Sequence, residues 1–251
     1  MAPLVSFVIA THERPSSLVR AINSVIAQGS EAELIVIADE GSRGTRAAAA
    51  GALRETDIFL SYPGIRGPSE SRNLGCKMAR GSWLCFLDDD DTITPDCLAQ
   101  IKSHLQPGNV IYGNYTLVKD NTDLTFGETK RSWLGEKSLE SIEVRNFIPV
   151  GAYFVPAELA RRVAFDTHLP SHEDWDYLLK LYALAPFHYA DVWGFRYHHA
   201  PEPSRNNMKR EERRLAFLSI YRRHQAKTTH TKRKRSQCLA KMGMELGERF
   251  L

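Results

Sequence analysis

Short apolar runs alternate with amphipathic stretches through the first hundred residues of the chain. Leu4–Ala10 is apolar and rich in β-branched residues, which predicts a strand. Ser16–Gln28 carries Leu18, Ile22, Val25 and Ile26 at helical spacing, with Ser16 or Ser17 as its N-cap. Glu33–Ala38 predicts a second strand and the Ala-rich Thr45–Glu55 a second helix. Asp57–Tyr62 reads as a strand, Ser69–Arg80 as a helix closed by Gly81, and Trp83–Leu87 as a fourth strand. Continuous apolar strands between amphipathic helices predict a parallel sheet covered on both faces. Ligands of such sheets bind beyond the carboxyl ends of the strands, so functional residues are expected just after Ala10, Ala38 and Leu87. Thr11-His12-Glu13-Arg14, Asp39-Glu40 and Asp88-Asp89-Asp90-Asp91 stand there.

From Asn109 the pattern changes. Val110–Val118 predicts a strand that bends into a hairpin around Gly113-Asn114, and the polar Lys119–Lys137 a mobile loop region. Asn146–Pro156 is a further strand region, followed by a short helix over Ala157–Val163. His172–Leu184 predicts an amphipathic helix whose first turn is acidic, as the helix dipole favours. Phe187–His198 supplies one or two more strands, and after Pro203 the chain turns basic and helical.

Composition narrows the class. The 251 residues are 43% apolar and 25% charged with 16 Gly and 12 Pro, which excludes a disordered or collagen-like chain. No apolar run approaches the ~20 residues of a membrane-spanning helix, and the first fifteen residues make a poor signal peptide; the expected compartment is the cytoplasm. Cys76, Cys85, Cys97 and Cys238 lack metal-site spacing and read as reduced. The net charge of +3 hides two unlike parts. Between Arg205 and Arg235, twelve Lys/Arg stand against Glu211 and Glu212, a balance of +10 that leaves −7 on the other 220 residues.

Four consecutive aspartates directly after a buried strand need compensation. Strand alternation puts Asp88 and Asp90 on one side, Asp89 and Asp91 on the other. An Asp-x-Asp element so placed suits a hard divalent cation together with phosphate oxygens. His168 and His172 share an H-x-x-x-H spacing, but Pro170 between them disfavours the helix a zinc pair would need. Gly41–Arg46 reads as an ordinary loop into the Ala-rich helix.

Four separated stretches together are recognisable: VSFVIATHERPSSLVRAINSVIAQ, ELIVIADEGS, SESRNLGCKMARGSWLCFLDDDDTITPDCL and HEDWDYLLKL. In order and spacing, over roughly residues 4–200, they resemble the family 2 glycosyltransferases of GT-A fold. The resemblance implies an α/β fold with a Rossmann-like nucleotide-binding half, a mostly parallel central sheet and an acceptor-binding half, here followed by a helical extension. The expected division is 1–203 for the GT-A domain, with 1–107 the nucleotide-sugar half and 108–203 the acceptor half, and 204–251 for the basic extension.

Carried over by position, Thr11, His12, Glu13 and Arg14 line the nucleotide site after the first strand. Asp39 matches the aspartate that contacts the pyrimidine, where a carboxylate accepts the N3–H of uracil or thymine. Arg72 matches a basic residue of the nucleotide site. Asp88 and Asp89 fall near the ribose, Asp90 matches the direct ligand of Mn²⁺ or Mg²⁺, and His199 matches a histidine that completes metal coordination in some relatives. Asp174 matches the base of inverting members, its proton affinity raised by the acids Glu173 and Asp176. Glu13 and Glu40 depart from the family pattern, standing where Asn and Asp are common.

The reading is a metal-dependent inverting transferase using a UDP- or dTDP-sugar, with a glycan, lipid-linked or small-molecule acceptor, in surface polysaccharide, glycolipid or glycosylated-metabolite synthesis. Its rival is a non-catalytic nucleotide-sugar-binding or nucleic-acid-associated protein on a similar fold. For the basic tail, an anionic membrane surface is favoured over nucleic acid, which would place the enzyme peripherally on the inner face of the membrane. Its apolar stripes (Leu215, Phe217, Leu218, Ile220 and Tyr221; Leu239, Met242, Leu246 and Phe250) equally suit packing on the catalytic body or on a second subunit in a homo-oligomer.

Overall fold

The computed structural model describes residues 2–64, 66–121, 123, 125–199 and 210–244. Its centre is strand β1 (Val5–Thr11), flanked by β2 (Ala32–Asp39) and β4 (Trp83–Asp88), with β3 (Ile58–Tyr62) outside β2. All four are parallel, and β1 and β2 are buried along nearly their whole length, as unbroken apolar runs require. Helices α1 (Pro15–Ile26), α2 (Arg43–Ala52) and α3 (Pro68–Met78) make the crossovers. Helix α3 lies close on the sheet at Gly75, where a Cβ would fall 2.2 Å from Val8 Cγ1. Helix α1 starts earlier than the serine cap predicts. Arg14 holds the cap position and Pro15 the first turn, where the lost N–H is harmless.

Beyond β4 come the two-residue strand β5 (Thr92–Ile93) and helix α4 (Cys97–Ile101). Then β6 (Val110–Tyr112) and β7 (Tyr115–Asp120) follow, not as the hairpin expected around Gly113-Asn114. The chain changes sheets there. Strand β6 joins the large sheet, ordered β10-β6-β9-β4-β1-β2-β3, while β7 joins a small one ordered β5-β11-β7-β8. The region expected to be a loop contains strand β8 (Phe126–Ser132), antiparallel to β7. Strand β9 (Tyr153–Pro156) is antiparallel to both β4 and β6. Helices α5 (Ala157–Arg162) and α6 (Glu173–Leu184), then β10 (Phe187–Tyr189) and β11 (Phe195–His199), complete the body.

Helices α7 (Arg210–Arg223) and α8 (Thr229–Lys241) follow. Phe217, Ile220, Tyr221 and Leu239 are buried in the same core as the sheet. Phe217 lies edge-on to Trp175 of α6 at 5.1 Å, and the Tyr221 hydroxyl donates to Val144 O at 2.7 Å. Phe217 and Tyr221 thus pack on α6 and the 139–145 segment, while Leu215 of the first stripe faces outward, 59% exposed. Leu246 and Phe250 lie outside the described residues. All four cysteines are free.

Candidate active site

The ends of β1, β2 and β4 meet at one edge of the large sheet, and three loops there hold non-glycine residues in the left-handed region: Glu13 (φ 57°), Glu40 (φ 49°) and His172 (φ 60°). Backbone held in this region is strained, and it borders the acidic edge from three elements.

Strand β4 ends at Asp88, and the chain then turns, with Asp91 N donating to Asp88 O at 3.1 Å. The turn ends the side-to-side alternation expected along the four aspartates. Asp88, Asp90 and Asp91 instead gather, one oxygen of each within 4.8 Å of the others. Asp89 faces inward and accepts from Thr11 Oγ1 (2.8 Å), His12 N (3.3 Å) and Arg14 Nη1 (3.1 Å). The same Arg14 nitrogen pairs with Asp90.

Asp91, 1% exposed, accepts from His198 N at 2.8 Å, while its Oδ2 is buried without a partner. Burial and mutual repulsion push Asp90 up to about 6 and Asp91 well above the carboxylate range, against the pull of Arg14 on Asp90. An all-oxygen set with an orphaned buried carboxylate oxygen fits a hard divalent cation such as Mg²⁺ or Mn²⁺.

A buried network backs this loop. His198 Nδ1 and Asp120 Oδ1 are 2.7 Å apart, and His198 Nε2 lies 2.9 Å from Thr92 Oγ1. Arg20 Nη2 donates to Asp120 Oδ2 (2.8 Å) and to Asp90 O (2.9 Å). It is therefore His198, rather than His199, that serves the aspartate loop. His199 is exposed, and the metal-capable group among the described residues does not include it. Strand alternation sends these neighbours to opposite faces of the small sheet.

Asp39 is buried, with its oxygens accepting from Arg66 N (2.6 Å) and Gly67 N (2.8 Å), while His12 Nδ1 sits 2.9 Å from its carbonyl. Its carboxylate thus shapes the loop after β3, and any base contact would have to share it.

Arg72, 4% exposed, spans two elements: Nη2 donates to Asp88 Oδ1 (2.7 Å) and Nη1 to Glu173 Oε1 (2.9 Å). Asp174 follows at the start of α6, its Oδ2 accepting from Asn146 Nδ2 at 3.0 Å. Burial and the neighbouring Glu173 raise it to about 6, opposed by Arg72. Asp176 does not share in this crowding. It faces the other way, paired with Lys180 (2.6 Å) and His224 (2.8 Å), and these partners hold it below the ordinary carboxylate value.

Thr11, His12, Arg14, Asp39, Arg72, Asp88, Asp89 and Asp90 therefore lie along one edge, with Asp174 reached from it through Arg72 and Glu173. Glu13 is exposed on the loop after β1. Sequence reasoning missed Asn146, Asp120 and Arg20, which carry no motif, and Glu173 as a partner of Arg72.

The model of the family described as "Glycosyl transferase family 2" matches residues 6–169. Among curated proteins, the chain is 35% identical over 100 residues to the succinoglycan biosynthesis protein ExoO of Rhizobium meliloti, covering 39% of this chain and 29% of that one. It is 28% identical over 123 residues to the GalNAc(5)-diNAcBac-PP-undecaprenol beta-1,3-glucosyltransferase of Campylobacter jejuni, covering 47% and 40%. The chain thus spans less than half the length of these two relatives. Of solved structures, S. aureus TarS 1–349 in complex with UDP-GlcNAc matches with a TM-score of 0.61 at 16% identity, over 94% of this chain and 71% of that one.

Proposed function

The chain belongs to glycosyl transferase family 2 and has the GT-A fold, and from that premise we propose that it transfers a sugar from a UDP- or dTDP-sugar to an acceptor hydroxyl with inversion. One observation carries this reading: a part-buried carboxylate of raised pKa, Asp174, stands apart from the three gathered aspartates yet is tied to Asp88 through Glu173 and Arg72. Such a pair of environments separates a proton acceptor from a charge-binding cluster.

In this reading Asp174 removes the proton of the acceptor hydroxyl as its oxygen attacks the anomeric carbon. The bond from that carbon to the diphosphate oxygen breaks on the opposite face, and the electron pair leaves with the diphosphate. Asn146 holds the Asp174 carboxylate in place through its amide N–H. Arg72 and Arg14 supply fixed positive charge along the diphosphate side. Asp88, Asp90 and Asp91 would hold Mn²⁺ or Mg²⁺, which when bound stabilises the negative charge of the leaving group. His12 and Asp39 border the base and ribose, with Thr11 holding Asp89. We divide the chain accordingly into a donor half (1–107), an acceptor half (108–203) and a basic extension (204–251).

UDP-GlcNAc in TarS and the lipid-linked saccharide in the name of the Campylobacter relative support a UDP-sugar donor and a glycan or lipid-linked acceptor. No helix among the described residues is long and apolar enough to cross a membrane. In this reading the exposed basic residues of α7 and α8 supply contact with an anionic lipid surface.

Calorimetry with UDP and Mn²⁺, followed by a nucleotide-sugar hydrolysis panel, tests the reading. Metal-strengthened UDP binding and turnover of one donor are expected. Absent or metal-indifferent binding would refute it in favour of a non-catalytic role.

A further inference from the structure

The acidic edge is not the whole functional edge of the large sheet. Strand β4 is antiparallel to β9, β9 is antiparallel to β6, and β6 is parallel to β10. The carboxyl ends of β4, β6 and β10, at Asp88, Tyr112 and Tyr189, therefore share one edge. At the β10 end stands Trp133, 51% exposed and one of the few large apolar side chains left on the surface of the described residues.

Trp133 is held, not loose. Its indole Nε1 donates to the Tyr189 hydroxyl at 2.7 Å, and that hydroxyl donates to Asp191 Oδ1 at 2.9 Å. Asn114, buried at the end of β6, donates from Nδ2 to both Tyr189 Oη (2.9 Å) and Asp191 Oδ1 (2.7 Å), and its Oδ1 accepts from Leu134 N at 2.7 Å. Gly135 lets the loop close over this hub, since a Cβ there would meet the Tyr189 ring at 2.7 Å and Trp133 Nε1 at 2.9 Å. Both Asp191 hydrogen bonds fall on Oδ1, which leaves Oδ2 of this exposed residue open to a ligand.

A fixed, half-exposed aromatic ring beside an open carboxylate suits a ligand with an apolar C–H face and rim hydroxyls, and a pyranose ring has both. The apolar face covers the indole, while hydroxyls donate to the carboxylate. Anchoring by Tyr189 and Asn114 removes most of the ordering entropy such contacts would otherwise incur. We infer that Trp133 and Asp191 form a carbohydrate subsite for the acceptor, an inference that rests on the glycosyltransferase reading above.

Its position sets the kind of acceptor. Three strand spacings separate β4 from β10, roughly 14 Å at about 4.8 Å each. A ring on Trp133 therefore sits well along the edge from the aspartate cluster at the end of β4, among the strands of the second half of the chain. In this inference it is a ring other than the reacting one, and the acceptor is an oligosaccharide or a glycan on a carrier. Binding energy gained at a remote ring then helps to place the reacting one.

Saturation-transfer NMR with methyl β-cellobioside, methyl β-lactoside and methyl β-chitobioside tests this on the full chain, with wild type, Trp133→Phe, Trp133→Ala and Asp191→Asn. Wild type is expected to contact one ring of at least one disaccharide. Trp133→Ala should weaken that contact by about tenfold, the loss of a stacking face, and Trp133→Phe much less. Asp191→Asn should fall between them, with thermal midpoints near wild type throughout.

No contact with any of the three in wild type, or contact unchanged in Trp133→Ala, would overturn the inference. UDP titration of the same samples keeps the two readings apart. No saccharide contact in wild type, or one unchanged in Trp133→Ala, with UDP binding intact refutes the subsite alone. A Trp133-dependent saccharide contact without UDP binding refutes the donor assignment alone.

Discussion

Asp174 is charged at neutral pH against the preference of its surroundings. Burial and Glu173 raise it from 3.8 to about 6, so the folded chain binds its proton more tightly than the unfolded chain does. The resulting penalty is absent below pH 3.8, grows as pH rises and is complete above about 6. Asp174→Asn should therefore stabilise the fold at pH 7.5, on the order of 1–2 kcal/mol, with the gain vanishing near pH 3.5. The same substitution should lower transfer by about 10²–10⁴-fold while UDP binding stays within a factor of about two. Unimpaired transfer would remove Asp174 from the mechanism. In wild type, the rate should fall below pH ~6 as the base takes up its proton.

Asp90→Ala should abolish the Mn²⁺-dependent part of UDP affinity, read by calorimetry with and without chelator. His199→Ala should leave it unchanged, because the structure puts that side chain on the exposed end of β11. The sequence marks the aspartate run as a candidate cation site, and three of its carboxylates do gather. Which residues gather was not, because a turn after Asp88 replaces the strand alternation that the sequence invites.

At the scale of elements, legibility follows burial. Strands β1, β2 and β4 show as apolar runs because both their faces are covered. Strand β8 reads as a polar loop because its side chains are mostly exposed, and it exists through backbone pairing with β7. The β6–β7 junction mimics a hairpin because Gly-Asn is turn-like wherever it occurs, while its separation into two sheets depends on partners far along the chain. Gly75 marks another contact that no periodicity reveals.

The C-terminal helices depend on Arg235, fully buried, which donates from Nε to Glu143 O (2.8 Å) and from Nη1 to His224 O (2.5 Å), its guanidinium 4.5 Å from the Tyr221 ring. Arg235→Ala leaves those carbonyls without these donors and should destabilise by about 2–4 kcal/mol in urea unfolding. Arg233→Ala, exposed two residues away, should change little.

Across the whole molecule, the charge that the sequence divides into +10 and −7 becomes two separate surfaces. At the sheet edge the gathered aspartates are offset by Arg14 and Arg72, and in the proposed function by a bound cation. Among the described residues, α7, α8 and the turn between them leave Arg222, Lys227, Arg233, Lys234 and Lys241 exposed, while Phe217, Ile220, Tyr221 and Leu239 are buried in the core. Of the large apolar side chains described on these two helices, Leu215 stays outward, 59% exposed. A broad apolar face would insert into a bilayer, whereas basic residues around a single exposed leucine bind chiefly by attraction, so membrane binding should be mainly electrostatic. Sedimentation with vesicles of phosphatidylglycerol and phosphatidylcholine should show binding at low salt that is lost as the Debye length shrinks from about 10 Å at 0.1 M to about 3 Å at 1 M. Neutral vesicles should bind none. Arg233→Glu with Lys234→Glu should weaken binding by at least about tenfold, at roughly 1 kcal/mol per basic residue lost. Salt-resistant binding would mean instead that an apolar surface is exposed. No binding at low salt would make this face a solubilising surface, and the acceptor would then reach the sheet edge without help from the membrane.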